Sequence, residues 1–106
     1  MDNLFSGISD TLLSIREQEQ SDVLLKSENI RIERIISQGQ TSPAIGWYDQ
    51  AENECVSVLK GEAIIEFEDK KVKMVAGSYI HIPAHTQHKV SWTSMQEETV
   101  WLAIFY

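Results

Sequence analysis

Four side chains able to hold a metal ion or move a proton fall in two short stretches of this sequence. Asp49 and Glu54 lie in the first, His85 and His88 in the second. Carboxylate oxygens and imidazole nitrogens together make a borderline-hard donor set, suited to a divalent Fe, Mn, Ni or Zn ion. Two imidazoles with one carboxylate are also the set of non-haem iron oxygenases, which keep positions open for substrate and oxygen. The same groups can serve as general acids and bases. Plainer roles stay open for each. His88 can be a core histidine with both ring nitrogens hydrogen-bonded. Glu54 can pair with Arg34 or Lys60, and Asp49 can cap the loop 50–53 through its backbone amides. His81, the first of the three histidines in the chain, points the same way as Tyr79 along its strand and reads as part of a surface or subunit-interface pair. The serines have no adjacent acid–base partner, and no glycine cluster forms a phosphate-cradling loop.

Positioning these groups falls to short strands and tight turns. The acidic stretch runs Glu54-Cys-Val-Ser-Val-Leu-Lys-Gly61, and the histidine stretch runs Gly77-Ser-Tyr-Ile-His-Ile-Pro83-Ala-His85-Thr-Gln-His88. From residue 22 onward the apolar pattern has period two, which predicts strands at 23–25, 30–36, 44–49, 54–59, 62–68, 71–74, 79–82, 89–93 and 99–106. Turn signals separate them, among them Gln38-Gly-Gln-Thr-Ser-Pro43 and Val75-Ala-Gly77. His88, Val90 and Trp92 are expected on one face, with Tyr48 and Val56 also lining the pocket. The final strand is apolar on both sides, so a second layer must cover it, either a partner or the N-terminal arm; a homodimer is expected. In that arm Leu4, Phe5, Ile8, Leu12, Leu13 and Ile15 recur at roughly helical spacing, and Ser9-Asp10 can cap a short helix over 10–17. The organisation predicted is one domain over 1–106, with a helical arm at 1–21 and an all-β barrel at 22–106.

The composition narrows the function. The 106 residues carry 16 acidic and 9 basic side chains, for a net charge of −7. Nucleic acids and anionic membranes need clustered Lys and Arg, so neither is an expected partner; a small-molecule ligand is. The single cysteine, Cys55, excludes an internal disulfide and fits a reducing compartment, where it reads as a small apolar strand residue. No secretory signal or membrane-spanning run is apparent, which makes the cytoplasm the expected location.

The two glycine-bounded stretches resemble the motifs of the cupins, a superfamily of double-stranded β-helix, or jelly-roll, barrels. Their first motif ends with a Glu seven positions before a Gly, as in Glu54 and Gly61 here. Their second runs Gly, Pro, Gly and His at spacings that Gly77, Pro83 and His88 match, with His85 where the second Gly is expected. The strings Trp47-Tyr-Asp-Gln50, Ile82-Pro-Ala-His85-Thr-Gln-His88 and Trp101-Leu-Ala103 resemble a compact bacterial subgroup. The resemblance implies a jelly-roll barrel with a metal-binding interior, in a superfamily that includes oxygenases, isomerases and decarboxylases. The family's His-x-His pair falls at 47 and 49, or 48 and 50, where this chain has Trp47, Tyr48, Asp49 and Gln50. Its three-His-one-Glu centre therefore does not carry over intact. Asp49, Glu54, His85 and His88 are the expected ligands of a replacement. A non-enzymatic binding protein or dimeric scaffold is the alternative that the lost pair favours.

Overall fold

The computed structural model describes residues 3–8 and 19–106. Its elements are eight strands: β1 (Gln20–Lys26), β2 (Arg31–Ser37), β3 (Glu54–Lys60), β4 (Glu62–Phe67), β5 (Lys71–Val75), β6 (Tyr79–Ile82), β7 (His88–Thr93) and β8 (Thr99–Phe105). They form two antiparallel sheets, one of order β1-β2-β8-β3-β6 and one of order β5-β4-β7. This all-β, two-sheet arrangement is consistent with a jelly-roll barrel. The helix expected over 10–17 lies outside the described residues. Among the described residues no helix is long and apolar enough to cross a membrane.

Strand parity builds the core. Ala63, Ile65 and Phe67 of β4 point inward, as do Val56 and Val58 of β3 and Trp101, Ala103 and Phe105 of β8, with Met74 and Ile82 filling between them. Period-two alternation is what allows one strand to be apolar inside and polar outside. The largest sheet is covered on its outer face as well. Ile8 packs there against Ile36 of β2 and Val100 of β8, with Leu59 beside them. The second cover predicted for the last strand is thus supplied, at Val100, by this chain's own N-terminal segment.

Two expectations change. Residues 44–49 do not form a strand. They belong to a long crossing segment that meets β7 at two isolated bridges, Ser42 with Val90 and Tyr48 with His88. Between those bridges Gly46, at φ 81°, turns the backbone out of the extended region. Trp92 does not line the interior either. Opposite β7, Ile65 pairs with Val90 while the adjacent Ile64 pairs with Trp92, so Ser91 is an extra residue. That bulge reverses the parity: His88 and Val90 face in, Trp92 is exposed, and Thr93 is buried.

Gly61 and Gly77 both have positive φ, 92° and 91°, but their surroundings differ. A Cβ on Gly61 would sit 2.6 Å from Thr99 Cα and 2.8 Å from the Glu98 carbonyl oxygen, whereas a Cβ on Gly77 meets nothing within 4 Å. Gly61→Ala therefore carries both left-handed strain and backbone overlap, about 3 kcal/mol or more, while Gly77→Ala carries only the strain, about 1 kcal/mol. Urea denaturation of the two variants checks this ordering; equal losses would contradict it.

Candidate functional site

The inward row of β3 reads Glu54, Val56, Val58, so the pleat delivers a carboxylate to a core position. Glu54 is 8% exposed and His88, entering from β7, is 4% exposed. Glu54 Oε1 lies 3.5 Å from His88 Nε2. The other ring nitrogen, Nδ1, donates to the Thr86 carbonyl at 2.8 Å, which fixes the ring plane and aims Nε2 at the acid. Gln50 Nε2 donates to the same Glu54 oxygen at 3.1 Å. Neither Arg34 nor Lys60 reaches Glu54: Arg34 pairs with Asp22, and Lys60 with Glu98.

These groups border a cavity of about 240 Å³ between the sheets. Val56, Ile65, Ile82, Trp101 and Phe105 supply its apolar walls, and Tyr48 and Val90 also line it. Two further carboxylates face it, Glu19 just before β1 and Glu33 on β2. Ser42 Oγ donates to Glu19 Oε1 at 2.9 Å and also bonds the Tyr48 hydroxyl. The cation on the lining, Arg31, is committed elsewhere. Its guanidinium clamps Glu52 through two bonds of 2.9 and 3.0 Å, bonds Glu33, and lies 4.3 Å over the Phe105 ring.

Electrostatics follow from this burial. Desolvation pulls His88 down, but the Glu54 contact, the Thr86 carbonyl and the Glu54 charge outweigh it, so its pKa is raised. Burial pushes the Glu19 carboxyl up, against the Ser42 hydrogen bond and with help from the charges of Glu54 and Glu33. Burial also raises the Tyr48 phenol.

The four expected ligands separate into two pairs. Glu54 and His88 meet in the interior. Asp49 and His85 meet at the surface, where Asp49 Oδ1 lies 2.8 Å from His85 Nδ1 with side chains 48% and 69% exposed. The reason is local. His85 takes the left-handed φ of 61° in the turn after Pro83, held by its amide donating to the Gln50 carbonyl at 2.7 Å, and this turns its side chain away from the cavity. Asp49 follows Tyr48 on the crossing segment and takes the opposite side from it. Among the described residues no group of three or more His, Cys, Asp or Glu side chains is disposed to hold a metal ion. His81 is exposed, and its Nε2 is hydrogen-bonded to the Tyr106 hydroxyl at 2.7 Å, with the two rings stacked.

Sequence reasoning missed Glu19, Glu33 and Ser42. Glu33 shares its face with Arg31 and Ile35, while Ile32 and Ile36 look like the buried row. Because both faces of β2 are covered, apolar content alone does not identify its inner row. Gln50 carried a signal, since it occupies one frame position of the absent His-x-His pair. Glu19 carried none.

The family described as "Cupin domain" matches residues 34–105. No match was found among curated proteins. Among solved structures, a "putative mannose-6-phosphate isomerase" of Ralstonia eutropha JMP134 superposes with TM-score 0.85 at 39% identity, covering 99% of this chain and 95% of that one. A cupin superfamily protein of Desulfitobacterium hafniense DCB-2 gives TM-score 0.70 at 23% identity, covering 84% and 77%. A protein of unknown function from Rhizobium leguminosarum bv. viciae 3841 gives 0.71 at 18%, covering 100% and 98%. The last two show likeness of fold alone.

Two predictions follow from the geometry of the site. The folded pKa of His88 lies above its ordinary value of 6.5. Its contribution to stability is therefore fully present below pH 6.5 and is lost as the pH rises through the folded value. In urea titrations the gap between wild type and His88→Gln should be wider at about pH 6 than at about pH 9, and NMR titration of the imidazole should give a midpoint above 6.5. A gap that widens with pH reverses the sign and rejects the assignment. At position 85, Gly and Ala substitutions both remove the imidazole, but only Gly relieves the left-handed backbone. His85→Gly should be more stable than His85→Ala by about 1 kcal/mol in thermal unfolding.

Proposed function

This chain belongs to the cupin domain family, and from that premise we propose that its barrel is a binding cup for a small neutral or cationic metabolite, with Glu54 and His88 as the proton-exchanging couple in its wall. The observation that carries the reading is the convergence of these two buried groups on the cavity, 3.5 Å apart. Held by the Thr86 carbonyl, His88 presents Nε2–H to a ligand oxygen or nitrogen, and Glu54 accepts a hydroxyl or ammonium hydrogen beside it. Tyr48 and Ser42 add hydroxyls on the same lining, and the aliphatic and aromatic walls take the ligand's carbon skeleton.

The family implies a divalent metal, which needs several donors converging on one point. Catalytic zinc sites use about three protein ligands. Here two convergent donors, Glu54 and His88, already engage each other. Gln50 and Tyr48 replace the imidazoles, and Asp49 and His85 stand outside. Among the described residues the donors do not fit a resident transition-metal centre.

The name of the Ralstonia neighbour suggests sugar-phosphate chemistry. For this chain the lining argues otherwise. Glu19, Glu33 and Glu54 face the cavity, and Arg31 is bound by Glu52 and Glu33. A phosphate dianion would meet these carboxylates, and among the described residues the cationic groups of the lining, Arg31 and a protonated His88, are already engaged by acids, whereas a polyol or a protonated amine would be favoured.

Thermal-shift and calorimetric titration of untagged protein with polyols, small amines and hexose phosphates tests this. The expected result is binding by members of the first two classes, lost at least tenfold in Glu54→Gln and His88→Gln, about 1.4 kcal/mol, with no binding of the phosphates. Tight phosphate binding would overturn the ligand class. One equivalent of Fe, Mn, Ni or Zn, lost on His88→Ala with the fold retained, would replace the reading with the metal-dependent one.

A further inference from the structure

Two hydroxyls on the crossing segment are brought together by β7. Ser42 exchanges both backbone hydrogen bonds with Val90, at 3.0 and 2.7 Å, and Tyr48 exchanges both with His88, at 2.7 and 3.2 Å. His88 and Val90 both face the cavity, and Gly46 turns the chain between the two bridges. Ser42 is 6% exposed, and the Tyr48 ring tilts against the His88 ring with centroids 5.5 Å apart. Backbone bonds therefore hold both hydroxyls on the cavity lining, where Ser42 Oγ meets the Tyr48 hydroxyl. From this arrangement we propose that Ser42 and Glu19 fix the Tyr48 hydroxyl as a hydrogen-bond acceptor in the cavity, so that the cup selects alcohols and protonated amines over carbonyl compounds of the same skeleton. The selectivity rests on the binding cup proposed above; the hydroxyl arrangement does not.

The direction of the bonds follows from counting hydrogens. A serine hydroxyl has one to donate, and an ionised carboxylate has none. Ser42 Oγ donates its hydrogen to Glu19 Oε1 at 2.9 Å. The hydrogen shared between Ser42 and Tyr48 must then come from the phenol. Were Ser42 to turn its hydrogen to Tyr48 instead, Ser42 Oγ and Glu19 Oε1 would face each other with lone pairs only, which is unfavourable away from water. Tyr48 thus spends its hydrogen on Ser42 and keeps a lone pair for the cavity. Beside it Glu54 offers carboxylate lone pairs and His88 offers Nε2–H. A ligand that reaches Tyr48 has to bring an O–H or N–H. A carbonyl oxygen there would set lone pairs against lone pairs, and a buried polar group left unpaired is what gives a site strong discrimination.

Burial raises the pKa of Glu19, so the tests are run at about pH 8, well above the ordinary carboxylate value of about 4. The Raman Fermi doublet of tyrosine reads whether a phenol gives or receives its hydrogen bond, and the difference between wild type and Tyr48→Phe separates Tyr48 from Tyr79 and Tyr106. Wild type should show a donating phenol. Ser42→Ala, verified as folded by thermal melts, should lose that signature, and Glu19→Gln, whose amide has hydrogens to give Ser42, should weaken it. An accepting phenol in wild type, or a donor signature unchanged in Ser42→Ala, overturns the assignment; a signature unchanged in Glu19→Gln removes Glu19 from it. None of these outcomes needs a ligand. Calorimetric titration with a small vicinal diol and the dione of the same skeleton reads the selectivity. Wild type should prefer the diol at least tenfold, about 1.4 kcal/mol, and Ser42→Ala, whose phenol hydrogen is released to the cavity, should lose most of that preference. Equal binding of diol and dione by wild type overturns the selectivity. A donating phenol in a protein that binds neither compound overturns the cup and the selectivity together, and supports the hydroxyl arrangement alone.

Discussion

The burial of one carboxylate organises the interior of this protein. Glu54 occupies a strand position whose neighbours on the same face are Val56 and Val58. An unpaired ionised acid there would be strongly unfavourable, since a buried charge loses its hydration and must recover it from fixed partners. The fold supplies two. His88 arrives from the opposite sheet, and Gln50 arrives on the crossing segment. His88 is in turn held by a backbone carbonyl two residues earlier in its own chain. Tyr48 pairs with His88 through the backbone, which anchors the crossing segment over the cavity. Satisfying one acid therefore fixes the relative placement of β3, β7 and the segment between β2 and β3.

Charge in the cavity follows from the same architecture. Glu33 points inward because β2 has a covered outer face occupied by Ile36, so the inner row is free to be polar at the mouth. Glu19 joins it as the chain enters β1. Arg31 pairs with Glu33, and its bidentate clamp on Glu52 also ties it to the loop before β3, away from Glu19 and Glu54. The result is a cup with apolar walls, an acidic lining and a protonatable imidazole. Such a cup selects ligands by charge sign before shape enters. The departures from the family pattern at Tyr48 and Gln50 act in the same direction, replacing imidazole ligands with a phenol and an amide.

His85 illustrates how a motif residue can be displaced by backbone geometry. The family pattern expects glycine there, and the backbone keeps the left-handed conformation that a glycine adopts freely. Histidine in that conformation directs its side chain to solvent, where Asp49 accepts from it. Two residues with metal-binding chemistry thus end as a surface pair. Chemical type placed them on the list of ligands, and dihedral angle removed them from the cavity.

Much of the fold was legible from local pattern. Seven of the eight strands coincide with predicted strands over most of their length, and the strand predicted at 23–25 covers only the apolar centre of β1. The turn at Gly61 and the bend at Pro83 were marked by residue type, because alternation and turn chemistry are local properties of the chain. The convergence of Glu54 and His88 was foreseen through the family resemblance. The remainder depended on long-range packing. A single extra residue, Ser91, turned Trp92 outward. Coverage of β2 on both faces hid which of its rows lines the cavity. The crossing segment became two bridges instead of a strand. Residue order alone reveals which positions alternate and which side chains bear chemistry. Which faces are inner emerges from packing in three dimensions, because an inner face is defined by what meets it from distant parts of the chain.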